Sequence, residues 1–429
     1  MEKKSIEIEA IPEKISRNLD QWLRKMRCNG FNEKGITLEQ FLDIKVGVLA
    51  EDVTSGTPCY EPFPDIKNKK FVYEGERDKG ERFHGTGSVE FEDGSTMTGC
   101  WSHGQRMGHF ITNRKDLTYI EGEYINDKLE GKVKVKFKDN AWIEGYFKDG
   151  IIHGFYRGFS SKNRLTCIGI YANGIPIGTY WKIIEGGGCI VGIVDKEGTL
   201  SGPDIAYIYP DFRTALVGDF VAGVLSCGQH CSVIGATLES GGLMAPIFSE
   251  KKGPKFKREI STDIFVTLSP TLQDPYETNT IKVRASKVPG ASEGLFARSD
   301  VKKDTILAFY NGIKLPADYE EEDTWEANAY KIFDPANQPD GALDILEKHQ
   351  STAGYSASLA HKTNHSFNPN SQFLLLDHPR WGLVPCIAST REIVTCEEIF
   401  VRYGYDLDLC PDWYAEAWNK GKYSCPAIL

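Results

Sequence analysis

Asn364-His365-Ser366-Phe367-Asn368-Pro369-Asn370 is the stretch on which the reading of this chain turns, and Tyr403-Gly404-Tyr405 follows it 33 residues later. Two tyrosines bracketing a glycine place aromatic walls beside hydroxyl groups. Two further stretches precede them in order, Gly290-Ala291-Ser292-Glu293-Gly294-Leu295-Phe296-Ala297 and Phe309-Tyr310-Asn311-Gly312. Around all four, short apolar runs at 281–283, 305–310, 373–376, 382–387 and 399–403 predict strands separated by turns, with a helix confined to about the last 15 residues.

A second pattern fills the middle of the chain. Gly75, Gly99, Gly122, Gly145, Gly169, Gly192 and Gly218 recur every 23 to 26 residues. Most carry a second glycine five positions on (Gly80, Gly104, Gly150, Gly174, Gly223), with Asp127 substituting in one repeat and Gly198 displaced by one. A third follows at Gly85, Gly108, Gly131, Gly154, Gly178 and Gly202, and aromatics such as Tyr73, Trp101, Tyr124, Tyr146, Tyr171 and Phe220 sit near the first. Glycine supplies positive φ at tight turns, and alternating apolar residues build strands, so the pattern predicts stacked β-hairpins that bury faces against their neighbours. The array can be a passive scaffold or a docking surface for protein or lipid.

Composition bounds the class. The 429 residues suffice for two or three cores, and no run of 18 apolar residues predicts a membrane span. The start at Met1 lacks an apolar leader, which predicts no secretion. Eleven scattered cysteines suit reduced thiols. A net charge of −10 argues against a general or sequence-specific nucleic-acid binder and suits a basic peptide. Cys227, His230 and Cys231 cluster as metal ligands do, but no fourth ligand has matching spacing, so no metal site is expected. Lys251, Lys252, Lys255, Lys257 and Arg258 form a basic run readable as a solvated linker or a nuclear import signal.

At the N-terminus, Ile15, Leu19, Trp22, Leu23 and Met26 have helical spacing, and Thr37 with Gln40 fits a capping box. A small cap on the first repeat is the expected role, followed by a linker at 57–70. Asp318, Glu320, Glu321, Glu322, Asp323 and Glu326 form an acidic cluster that suits Lys/Arg-rich tails or a solvated helix face.

The motif segments resemble those of SET-domain protein lysine methyltransferases, and the glycine ruler resembles about seven MORN repeats. Their combination, with Asp274-Pro275-Tyr276-Glu277 and Pro411-Asp412-Trp413-Tyr414, resembles the MORN-containing histone-lysine methyltransferases of animals over residues 71–429. The expected architecture is mainly β: a helical extension and linker at 1–70, the repeat array at 71–235, a connector at 236–280 and a SET domain with a C-terminal helix at 281–429.

The resemblance implies methyl transfer from S-adenosylmethionine to a lysine amine. It assigns cofactor binding to Ala291, Ser292, Glu293, Asn364, His365 and Trp413, a catalytic role to Tyr403 with Tyr310 and Tyr405, and the lysine channel to Tyr310, Phe373 and Tyr405. It also implies histone tails and other basic proteins as partners, and a nuclear and cytoplasmic location. Three positions depart from the family pattern. Ser292 replaces a glycine, Ala417 replaces an acidic cofactor contact, and Phe373 replaces a channel tyrosine, which points to methylation beyond the first methyl. The other open reading is a SET/MORN adaptor with little or no turnover.

Overall fold

The computed structural model describes residues 70–115, 118–239, 242–264, 266–315, 330–333, 342–405, 407 and 410–424. The helical lead expected before residue 70 and the acidic cluster from Asp318 to Glu326 lie outside the described residues.

Strand follows strand in antiparallel order from Phe71–Arg77 to Met244–Phe248, forming one 16-stranded sheet together with Lys252–Lys257. The three sets of glycines do different work. Four of the second set (Gly104, Gly150, Gly174 and Gly223) close two-residue turns in which both central residues have positive φ, as at Asp149 (φ 53°) and Gly150 (φ 83°). Asn126 (φ 52°) and Asp127 (φ 67°) adopt the same turn without glycine, which explains the substitution in that repeat. In the first set Gly99, Gly145 and Gly169 clear room for rings: a Cβ on Gly169 would sit 2.3 Å from Cδ2 of Tyr180. Trp101, Phe110, Tyr124, Phe147, Tyr156 and Tyr171 are thereby buried in one continuous inner face. Each such ring contributes about 2–3 kcal/mol of burial, which no single hairpin could collect alone.

The sheet does not stop at the basic run. Lys252–Lys257 is a strand paired with the first half of Val224–Leu238, while Met244–Phe248 pairs with its second half. Phe256 is the reason, since it is buried in the core while its cationic neighbours are exposed. Along Val224–Leu238, Cys231 stands opposite Ala215 in one core and His230 stands opposite Leu216, which belongs to another. Strand alternation thus sends the histidine and the cysteine to opposite faces. No group of side chains among the described residues could hold a metal ion.

The C-terminal part consists of small sheets. Ile281–Ala285 pairs with Glu293–Ala297, and Ile313–Leu315, Ala342–Asp344 and Ile332–Phe333 form a second sheet. In a third, Gly382–Ser389 lies between Ile306–Phe309 and Ser371–His378. The two faces of this third sheet have different partners. Phe373, directly opposite Ile387, packs with Tyr310 and Tyr403 on the front. Leu374 and Leu376 belong to the core that also contains Tyr207, Tyr209, Leu216 and Phe220 of the repeat array. The last repeats therefore cover the back of the sheet whose front carries Phe373.

A buried polar joint ties the two parts together. Helix α1 (Pro275–Thr280) starts at Asp274, whose side chain accepts from the Tyr276 amide, with proline at the position where a missing N–H costs nothing. Asp274 also accepts from the Tyr209 hydroxyl at 3.0 Å and from Arg380 at 2.8 Å, and Arg380 reaches Glu259 at 3.0 Å. Tyr276 stacks on Tyr209 with ring centroids 5.2 Å apart. Glu277 accepts from the Phe309 and Leu359 amides, so every member of the Asp-Pro-Tyr-Glu stretch has a fixed partner. Burial and the nearby Asp274 charge push the Glu277 carboxyl well above the usual carboxylate range.

Candidate functional site

Asn364–His365 is a two-residue strand that pairs in parallel with Phe400–Val401. The Ser366 amide continues the pairing by donating to the Val401 carbonyl at 2.9 Å. Asn370 locks the crossing: its amide group donates to the Glu398 carbonyl at 2.8 Å and its oxygen accepts from the Phe400 amide at 2.8 Å. This explains why the motif needs an asparagine at both ends. The first orients the site, and the second holds the strand that delivers Tyr403.

Asn364 Nδ2 donates to the Glu293 carbonyl at 2.9 Å, with Glu398 Oε1 at 3.0 Å and Ser286 Oγ at 3.1 Å also in range. The Ala291-Ser292-Glu293 segment is thereby fixed beside the Asn-His pair. Gly294 is required for the close approach, because a Cβ there would lie 2.2 Å from Glu398 Oε1. Ser292 is not among the positive-φ residues, so its replacement of glycine imposes no backbone strain.

His365 has a defined protonation state. Its Nδ1 accepts from the Tyr403 amide at 3.1 Å, which leaves the ring proton on Nε2. Burial, followed by the Arg402 charge, pushes the imidazole down to about 4, so it is neutral at physiological pH. The buried Nε2–H has no partner. Beside it stands Trp413, half-exposed on helix α2 (Asp412–Ser424), with ring centroids 5.9 Å apart. The Tyr414 ring, fully buried, backs His365 at 4.8 Å. An unspent donor, a polar asparagine and an open indole face fit the amino-acid and adenine ends of S-adenosylmethionine.

On the other side of Tyr403 is an aromatic cluster. Tyr403 and Tyr405 meet edge to face at 5.7 Å, and Tyr310 meets Phe373 at 6.3 Å. The Tyr403 hydroxyl donates to the Thr363 carbonyl at 2.9 Å, and Tyr310 donates to the Tyr330 carbonyl. Burial raises both phenols above their ordinary range, so they remain protonated donors. The sequence-derived residues thus fall into two adjoining groups. Ala291, Ser292, Glu293, Asn364, His365 and Trp413 line one, and Tyr310, Phe373 and Tyr405 line the other, with Tyr403 touching both.

Tyr330 and Lys362 were not anticipated. Tyr330 lies between motifs and carries no sequence signal. Lys362, almost fully buried, pairs with Glu293 at 2.8 Å and sits 5.5 Å from the Tyr330 ring. Its place two residues before Asn364 was the available clue.

Small sheets joined by a parallel strand pair, with a polar cradle beside a tyrosine cluster, are the arrangement expected of a SET-type transferase. The SET domain model matches residues 292–404, and the model described as "Histone H3 K4-specific methyltransferase SET7 N-terminal" matches residues 171–240. The chain is 32% identical over 352 residues to histone-lysine N-methyltransferase SETD7 of Halocynthia roretzi, covering 80% of this chain and 90% of that protein. It also resembles the inactive protein tyrosine kinase pTKL of Plasmodium berghei, at 32% identity over 20% of this chain and 7% of that one. Among solved structures, "ctPRC2 in an autoinhibited conformation bound to S-adenosylmethionine" is similar at 18% identity and a TM-score of 0.23, covering 34% of this chain and 17% of that chain. The chain belongs to the SET-domain protein-lysine N-methyltransferases that carry an N-terminal repeat array, and its cofactor is S-adenosylmethionine.

Proposed function

We propose that this enzyme methylates lysines in basic protein segments, histone tails among them, and that it proceeds beyond the first methyl group. The observation that carries the reading is the junction at Tyr403, whose amide holds His365 while its ring joins the tyrosine cluster. The bound cofactor supplies an electrophilic methyl on a positively charged sulfur. Tyr310, Tyr405 and Phe373 enclose the lysine stem, and aromatic walls admit a long aliphatic chain. Deprotonating a lysine at neutral pH costs about 4–5 kcal/mol in water. Enclosure in the cluster disfavours the ammonium and lowers that cost, so no carboxylate base is required. The Tyr403 hydroxyl orients the freed amine. We further assign 71–235 to the repeat array and 281–429 to the catalytic domain, and place the protein in nucleus and cytoplasm. Assaying lysine peptides with labelled cofactor tests the reading. Cofactor binding without transfer to any histone-tail or other basic peptide would favour the adaptor instead.

Two outcomes are expected from single substitutions. His365→Ala removes the free Nε2 donor and should weaken cofactor binding about tenfold in calorimetry, while peptide affinity changes little. Unchanged cofactor affinity in the folded variant would remove His365 from the cradle. Phe373→Tyr should shift products toward monomethyl-lysine. A hydroxyl at that point can hold the amine and block its rotation, and such contacts are worth about 1 kcal/mol, enough for a several-fold change. Mass spectrometry of time courses decides. The proposal fails if wild type stops at monomethyl-lysine and the variant is identical.

A further inference from the structure

Several cations of the repeat array are paired with acids on neighbouring hairpins. Arg106 pairs with Asp127 at 3.0 Å, Lys128 with Asp149 at 2.9 Å, and Arg164 with Glu185 at 2.6 Å, while Lys132 and Arg157 share Glu144. The segment from Lys251 to Arg258 holds five cations and no acid in eight residues. Lys251 reaches Asp204 at 3.5 Å. Lys252, Lys255, Lys257 and Arg258 are exposed and form no ion pair among the described residues.

The strand Lys252–Lys257 is bonded on one edge only, to Val224–Leu238, and its other edge faces no described strand. Space beside Gly253 is open. Phe256 anchors the strand by packing under Arg380, whose guanidinium lies 4.8 Å from its ring. Lys255 and Lys257 therefore project together from the opposite face. A single lysine and Pro254 would suffice to discourage self-pairing of an edge. The additional cations concentrate positive charge along a strand that still offers backbone donors and acceptors.

We propose that this edge docks an extended acidic segment of a partner protein, which adds a strand beside Lys252–Lys257 and sets alternate carboxylates against Lys255 and Lys257. Strand addition satisfies the free backbone groups and lets alternate side chains confer specificity. Duplex DNA fits less well, because it has no strand edge to offer and the chain's net charge of −10 repels it at range. The strip lies outside the tyrosine cluster, so it recruits a partner without entering the reaction.

The test uses the full chain and a labelled peptide in which glutamate alternates with valine. Anisotropy should show saturable binding that falls at least about tenfold in K255E/K257E. Amide exchange at residues 252–257 should slow on binding, and methyl transfer to a short lysine peptide should be the same in variant and wild type. A peptide of identical composition with its glutamates grouped should bind more weakly. Equal binding of the grouped peptide without amide protection would reduce the strip to a general cationic surface and overturn the proposal. So would tighter binding of a short DNA duplex, or no binding of the alternating peptide.

Discussion

Tyr403→Phe is expected to lower turnover by about 10²–10³ while the fold and cofactor affinity persist, the usual effect of removing one hydroxyl that acts at the transition state. The geometry makes the separation clean. Tyr403 holds His365 through its backbone amide at 3.1 Å, which phenylalanine retains. Only the hydroxyl is lost, and with it the 2.9 Å bond to the Thr363 carbonyl, at about 1 kcal/mol of stability. Single-turnover kinetics with saturating cofactor, alongside calorimetric titration, separate the two effects. Near-normal turnover would remove Tyr403 from the catalytic role. A parallel collapse in cofactor affinity would mean that the substitution had disturbed the cradle.

The second large effect lies far from the chemistry. Arg380→Met should destabilise the whole chain by about 3–5 kcal/mol, the range for removing one partner of a buried ion pair. Arg380 and Asp274 are fully buried and Glu259 nearly so, so neither carboxylate can recover solvation when the guanidinium goes. Neutralising the acids in the same background, as Arg380→Met with Asp274→Asn and Glu259→Gln, should recover part of the loss. Urea unfolding of the full chain measures both. A loss below about 1 kcal/mol for the single variant would show that the carboxylates are met by other donors or are protonated.

What could be read in the sequence follows the range of the interactions. The glycine ruler was legible because turns and ring clearances are local: Asp127 and Gly150 close their turns with their immediate neighbours. Asn364, His365 and Tyr403 were singled out by the resemblance of their segments to those of the SET family, and the parallel strand pair brings them together. Tyr330, Lys362 and Glu398 were not, since each acts through a partner reached across intervening chain: Glu398 meets Asn364 from 34 residues away. Arg380 is the strongest case. Nothing in its surroundings marks it as fully buried, yet its partners Asp274 and Glu259 lie 106 and 121 residues upstream. In the cluster of Cys227, His230 and Cys231, the histidine and Cys231 turn to opposite faces, which spacing alone does not show. The basic run became a strand because of Phe256, one apolar residue whose burial outweighs the solvation of its neighbours.

Because the last repeats cover the back of the sheet that bears Phe373, that end of the array is held against the catalytic sheet. Each hairpin touches mainly the hairpins on either side of it, so changes at the Phe71 end do not reach the seam at Tyr207 and Tyr209. A change confined to one distant hairpin is therefore expected to leave the chemistry unaltered. The final repeats have no such freedom. Their inner face shares one core with the catalytic sheet, so a change there bears on Phe373 from behind.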